Sequence, residues 1–329
     1  MRISGGIASR VSNRDNELLE GIPEEEEVHA AMVNLNHESV TGSDGFPGSF
    51  YWSLWEVVKG DVVNSIRDFF QGGSLPRIAA AKTLVLIPKV KDPSSLLYYR
   101  PVSICNFPDK ILVSIINRRL SGFLPRWISL EQHGFVKDRL IQGAIDLAQD
   151  MLKEINTKVC GNNLVIKLDM RKAYERVEWG FINRVLNRFG FSSWATDLIF
   201  RSFSSAWLAV SFMGRSHGFF MSVHGLRQGD PLSPSIFILE QDTLSRMINR
   251  GLSNGDVHPY RRRSGLTSIS HLMLADDTII FSNWGWKSLH AIIKMLEEYL
   301  LDWCCPIRLG RMLVARNFRG SSAAVGSLG

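Results

Sequence analysis

The apolar positions of this chain recur with two periods, and the switch between them outlines its elements. Trp55, Val58, Val62, Ile66 and Phe69 recur at three- and four-residue spacing, which predicts a helix from about Tyr51 to Phe70, ended by Gln71-Gly72-Gly73. Thr83-Leu84-Val85-Leu86-Ile87 is a short apolar run stopped by Pro88 and reads as a strand. Two helices are expected next, over about 109–120 and 141–155. The second carries Ile141, Ile145, Ala148, Leu152 and Ile155 on one face. The run Leu164-Val165-Ile166-Lys167-Leu168 reads as a strand closed by Asp169, followed by a helix over about 178–189 closed by Gly190. Ser233-Pro234 supplies an N-cap and a first-turn proline for a helix that should run to Arg250 and stop at Gly251. Residues 271–281 read as two strands around a turn at Asp276-Asp277, and a last helix spans about 288–303.

The flanks are less regular. Residues 1–22 are polar and read as a flexible arm. Pro23 followed by Glu24–Glu27 looks like a helix start, with acids at the positive end of the dipole, and opens a helical extension over 23–79. A polar loop is expected to carry Lys89, Lys91 and Arg100. After Pro306 the periodicity collapses, and residues 304–329 are expected to be a disordered, divergent tail. The core domain is therefore placed at 80–303.

Among 329 residues, 38 Lys and Arg against 32 Asp and Glu leave a net charge of +6, which leans toward a polyanionic partner. Cys105, Cys160, Cys304 and Cys305 form no CxxC pair, so neither a zinc site nor a disulfide framework is legible. No apolar run approaches bilayer length, and the N-terminus has no signal-like apolar core. A soluble, intracellular protein without membrane attachment is expected, in nucleus or cytoplasm; Arg261-Arg262-Arg263 is too short to read as an import signal.

Three segments carry candidate chemistry. Asp276 and Asp277 are adjacent carboxylates between apolar strands, and Asp169 closes another such strand. Like charges this close repel unless a cation lies between them. Two Mg²⁺ ions about 3.5–4 Å apart would serve, as in phosphoryl transfer. The plain alternative is a solvated hairpin turn, where aspartate is common. The second segment, Gly225-Leu226-Arg227-Gln228-Gly229-Asp230-Pro231-Leu232-Ser233-Pro234, fixes an unusual backbone before a helix. A plain Gly/Pro turn reads equally well. The third is the basic set Lys89, Lys91 and Arg100, suited to a triphosphate but also to a solvated loop.

Taken in order, these segments have company. Leu86-Ile87-Pro88-Lys89, Tyr99-Arg100-Pro101-Val102-Ser103-Ile104-Cys105-Asn106 and Gln132-His133-Gly134-Phe135-Val136-Lys137-Asp138-Arg139 come first. The run from Lys167 through Asp169, Ala173 and Tyr174 to Trp179, then Gly225–Pro234 and Leu274-Ala275-Asp276-Asp277, complete the set. Together they resemble the reverse transcriptase of LINE-type (non-LTR) retrotransposons, particularly those of plants, over about residues 23–300. The resemblance implies an α/β right-hand polymerase, with fingers from about 80–160 and a small antiparallel palm sheet packed by helices. Asp169, Asp276 and Asp277 would be its catalytic, metal-binding triad, served by two Mg²⁺ ions with Mn²⁺ as the alternative. Tyr174 matches the residue under the sugar that excludes a 2′-hydroxyl. Gln228 and Gly229 match the segment lining the incoming nucleotide and template; Arg100 and Lys89 match finger positions that hold the triphosphate. An RNA template, a DNA primer and dNTPs are the implied partners.

The chain departs from the family pattern in places. Glu175 stands where Asp is usual after Ala-Tyr, Leu274 where an aromatic is usual, and Glu240 and Gln241 where helix positions are usually apolar. Beyond Tyr299 the family pattern is lost. No thumb, endonuclease, RNase H or zinc-knuckle pattern is legible, so the thumb is expected to be absent. The competing reading is an inactive retroelement remnant that at most binds nucleic acid. A third reading, an unrelated Mg²⁺ phosphohydrolase, leaves Gly225–Pro234 unexplained.

Overall fold

The computed structural model describes residues 9–156, 163–170, 172–212, 214–262, 269–303 and 311–316. Its strands are β1 (Ala81–Pro88), β2 (Tyr99–Cys105), β3 (Asn163–Asp169), β4 (Trp207–Phe212), β5 (Arg215–Met221), β6 (His271–Leu274), β7 (Asp277–Asn283) and β8 (Arg311–Arg316). They form two four-stranded sheets, one in each of two units. One unit comprises Arg10–Phe123 and Phe189–Ser235; the other includes Leu124–Arg188 and the described residues from Ile236 onward. The stretch 80–160, expected to act as fingers, is therefore divided between the two units. No helix of the described residues is long and apolar enough to cross a membrane.

In the first unit the sheet order is β2-β1-β4-β5. β1 runs antiparallel to β2 and parallel to β4, and β4 and β5 pair antiparallel. The helix Trp55–Phe70 buries Trp55, Val62, Ile66 and Phe69 of its predicted stripe. The helix Phe107–Ser121 buries Ile111, Leu112 and Ile115. Two sequence expectations fail here. The arm contains a helix, Asn13–Glu20, started by a reciprocal cap: Ser12 Oγ accepts the Asp15 N–H and the Asp15 carboxylate accepts the Ser12 N–H. Asn16 fastens it by donating to Gly190 O at 2.9 Å and accepting from the Ser192 N–H at 3.0 Å. Arg100 lies on strand β2, opposite Ile87, rather than in a loop. β2 is an edge strand, where Pro101 is tolerated. The helix Ser193–Ser204 and strands β4 and β5 were not read from sequence at all. The β4–β5 register shifts between Leu208 and Val210, and β5 is exposed along its whole length, so neither strand shows the alternation of a half-buried strand.

In the second unit all pairings of the sheet β6-β7-β3-β8 are antiparallel. Met151, Val165, Tyr260, Leu272 and Phe281 form a core on this sheet, with Leu147, Ala148 and Ile155 partly buried against it. The helix Ile141–Lys153 is thus turned in part from its expected face: Ala148 of that face packs on the core and Ala144 and Met151 are buried, while Ile141, Ile145 and Leu152 are exposed. The helix starting at Ser233 passes through Gly251 and ends at Ser253. Gly251 is helical here, and a Cβ there would lie 2.3 Å from Met295 Cε, the movable end of a flexible side chain. The expected tail contains β8, which pairs with β3 from Leu164↔Arg316 to Asp169↔Arg311. Its apolar run Met312–Ala315 is short and set among Arg, Gly and Ser, and its partner strand lies some 145 residues away. Residues 1–8 of the expected arm and 304–310 and 317–329 of the expected tail lie outside the described residues, as do Cys160, Cys304, Cys305 and Arg263.

Candidate active site

β3 is buried from Asn163 to Ile166 and opens to solvent only at Lys167 and Asp169. β7 begins with exposed Asp277 and is otherwise largely buried. The two strand ends meet, since Asp169 is the register partner of Asp277. Facing residues of an antiparallel pair have Cα atoms about 4.5–5.5 Å apart, so two carboxylates share one exposed edge. Asp276 sits beside them in the Ala275–Asp276 turn, also exposed. Ala275 holds φ +56, a left-handed conformation that residues with a Cβ rarely adopt. Lys167 Nζ lies 3.3 Å from Asp277 Oδ1 and offsets part of the repulsion. Both side chains are about half exposed, which weakens this pair.

Among the described residues, no three acidic, His or Cys side chains converge as a ready-made ion cage. The donor set nonetheless fits a hard divalent cation: the oxygens are carboxylate, they are exposed, and two face each other. Mg²⁺ is typically held by one or two carboxylates together with substrate phosphates rather than by an all-protein cage.

Tyr174 lies in the short helix Ala173–Arg176, entered through Lys172 at φ +52. Its ring stacks on Phe237, with centroids 4.4 Å apart and planes at 16°. Burial, then the charges of Asp276 and Glu240, push its hydroxyl well above its ordinary pKa. The phenol stays protonated and close to the carboxylate turn. Phe237 was not anticipated; it lies four residues beyond Ser233, on the helix that follows the Gly/Pro segment.

Lys89, Arg100, Gln228 and Gly229 belong to the other unit. Lys89 follows β1, donates its N–H to Tyr98 O at 2.7 Å, and is exposed like Arg100. The β1–β2 pairing brings these two cations to the same end of one hairpin. Gln228 O accepts the Ser103 N–H at 2.8 Å. Gly229 has φ +95, and a Cβ there would lie 2.8 Å from Ser103 O. The segment is therefore laid against β2, three residues from Arg100.

Sequence reasoning missed what anchors that segment. Lys82, 1% exposed, pairs with Asp109 at 2.7 Å and Asp230 at 3.4 Å, and Arg227 lies 3.6 Å from Asp230. Burial and Arg227 press the Lys82 pKa down, but Asp109, Cys105 and Asp230 together hold it above its ordinary value. Burial pushes the Cys105 thiol up to about 12, Asp109 and Asp230 adding to the rise and Lys82 opposing it. The available signal was a lysine opening an apolar strand. Glu240 and Gln241, at helix positions that are usually apolar in the family pattern, are both 0% exposed. Gln241 Nε2 lies 3.7 Å from Met170 Sδ, and its Oε1 has no hydrogen-bond partner among the described residues.

Residues 87–311 match the family model described as reverse transcriptase (RNA-dependent DNA polymerase). The chain is 26% identical over 244 residues to the Transposon TX1 uncharacterized 149 kDa protein of Xenopus laevis, covering 74% of this chain and 18% of that protein. It is 25% identical over 260 residues to the retrovirus-related Pol polyprotein from type-2 retrotransposable element R2DM of Drosophila melanogaster, covering 78% and 23%. A Pol polyprotein from a type-1 retrotransposable element R2 of Nasonia vitripennis is 25% identical over 274 residues, covering 82% and 25%. The chain thus spans about a fifth to a quarter of the length of these relatives.

Proposed function

Because this chain belongs to the reverse transcriptase (RNA-dependent DNA polymerase) family, we propose that it is the nucleotidyl-transferring core of a LINE-type retroelement enzyme, extending a DNA primer on an RNA template. The unit bearing the carboxylates would serve as palm, and the β1–β2 hairpin as part of the fingers. The observation that carries this reading is the register Asp169↔Asp277, with Asp276 in the adjoining turn. Asp169, Asp276 and Asp277 would hold two Mg²⁺ ions, with Mn²⁺ as a substitute. Such ions, when bound, favour the ionised primer 3′-hydroxyl and offset the charge developing on the α-phosphate. Exposed Lys89 and Arg100 would hold the triphosphate of a dNTP, Arg100 through its forked guanidinium. Gln228 and Gly229 would line the nucleotide and template from a backbone held against β2. Tyr174, backed by Phe237, would lie under the sugar and crowd a 2′-hydroxyl.

A second reading, a nucleic-acid-binding remnant without catalysis, draws on the buried Gln241 carbonyl oxygen, since a buried unsatisfied polar group costs about 1–3 kcal/mol. Primer extension on an annealed RNA template with dNTPs and Mg²⁺ separates the two. The polymerase reading expects extension that is lost in Asp276→Asn/Asp277→Asn. A folded wild-type chain that binds RNA and extends nothing would establish the remnant.

A further inference from the structure

The motif Gln132–Arg139 has no role in the chemistry above, yet its backbone and side chains are fastened to the strand that leads into Asp276-Asp277. Gln132 is 0% exposed and forms an isolated parallel bridge with Met273 of β6. The Met273 N–H donates to Glu131 O and the His133 N–H donates to Met273 O, each at 2.9 Å. The Gln132 side chain then reaches the turn itself. Its Oε1 accepts the Ala275 N–H at 3.1 Å and the Gly134 N–H at 2.9 Å. Both neighbours are donors, so the amide must present its oxygen to them; the reversed orientation would set N–H against N–H. The residue so held is Ala275, whose φ of +56 is disfavoured for a residue with a Cβ and persists only where its surroundings over-determine it. Gly134 permits the approach, since a Cβ there would lie 2.6 Å from Ala275 N. Behind the segment, Arg139 donates to the carbonyls of Gln132 at 2.7 Å and Ile128 at 2.8 Å, and Asp242 accepts the Ser129 N–H at 2.7 Å.

We infer that Gln132 is the positioning residue of the carboxylate turn: its amide oxygen locks Ala275 in the left-handed conformation that sets Asp276 and Asp277 at the edge shared with Asp169. Gln132 touches neither metal nor substrate in this role and acts only through the turn. The inference rests on the polymerase reading for its catalytic consequence, while the clamp itself is a property of the fold.

Gln132→Met keeps the length and removes the acceptor; Gln132→Glu keeps an oxygen facing both N–H groups. Two measurements on the full chain decide the matter. Amide exchange over 272–278 should quicken at least tenfold in Gln132→Met, stay near wild type in Gln132→Glu, and leave β3 unchanged in both. In primer extension, Gln132→Met should lower kcat at least tenfold and raise the Mg²⁺ concentration needed for half-maximal rate. KM for dNTP should stay within about twofold. Unchanged exchange at the turn, or an equal rise across the whole unit, would overturn the clamp. If Gln132→Met does not fold, Gly134→Ala tests the same contact sterically and should quicken exchange at 272–278 alone; wild-type exchange in that variant refutes the inference. A wild-type chain that extends nothing would sink the polymerase reading, and the exchange result would still decide the clamp.

Discussion

His271 shows how one side chain couples the carboxylate sheet to pH. It lies on β6, fully buried, with Nε2 2.7 Å from Ser245 Oγ and Nδ1 2.7 Å from Ser270 Oγ. Burial lowers its pKa to about 4, although the charge of Glu131 pulls the other way. The folded state therefore resists protonation more than the unfolded chain, whose histidine titrates near 6.5. The stabilisation is fully present above pH 6.5 and is lost progressively as pH falls toward 4, a change of about 3 kcal/mol. Denaturant unfolding at a series of pH values should show this fall in the wild type. His271→Asn should show a flatter profile between pH 6.5 and 4, and parallel profiles would assign the acid sensitivity to other groups.

At the scale of elements, the β1–β2 pair and the Gly225–Pro231 segment are joined by a buried charge cluster as well as by the Ser103–Gln228 backbone hydrogen bond. Removing one member of a buried ion cluster leaves its partners desolvated and uncompensated, which costs about 3–5 kcal/mol. Lys82→Met strands Asp109 and Asp230, at 3% and 4% exposure, and leaves Arg227, 3.6 Å from Asp230, as the remaining cation of the cluster among the described residues. It should destabilise the protein by about that amount, and Lys82→Met/Asp109→Leu should recover a large part of the loss. Chemical denaturation of the three proteins measures both effects. A Lys82→Met variant as stable as wild type would mean that solvent reaches these carboxylates.

At the scale of the molecule, the net charge of +6 is an ionic-strength argument. If the chain grips RNA by its backbone, log Kd against log salt should be linear, with a slope of about 0.7 per phosphate neutralised on a single strand. A total slope of about 2–4, meaning three to six phosphates, is expected from titrations between low and physiological salt. Asp276→Asn/Asp277→Asn should tighten binding slightly at low salt by removing two negative charges, with the slope little changed. Affinity independent of salt would exclude backbone binding as the main source of grip.

The sequence by itself determined the elements whose signals are local. The stripe of Trp55–Phe70, the strand ending at Asp169 and the hairpin at Asp276-Asp277 were legible because period and punctuation are carried by neighbouring residues. The candidate chemistry was legible for the same reason, as adjacent carboxylates and clustered Gly and Pro, and the ordered motifs pointed to the family now matched over 87–311. The Ser12–Asp15 cap is a local signal of the same kind, although the polar residues around it read as an arm. Only the tertiary structure decided which distant residues meet: Asp169 opposite Asp277, Lys82 against Asp230, β8 beside β3, and Gln132 on Ala275. Those pairings follow from long-range register and burial. No window of sequence contains both partners, and an amide or a lysine looks alike in isolation whether it faces water or locks a turn.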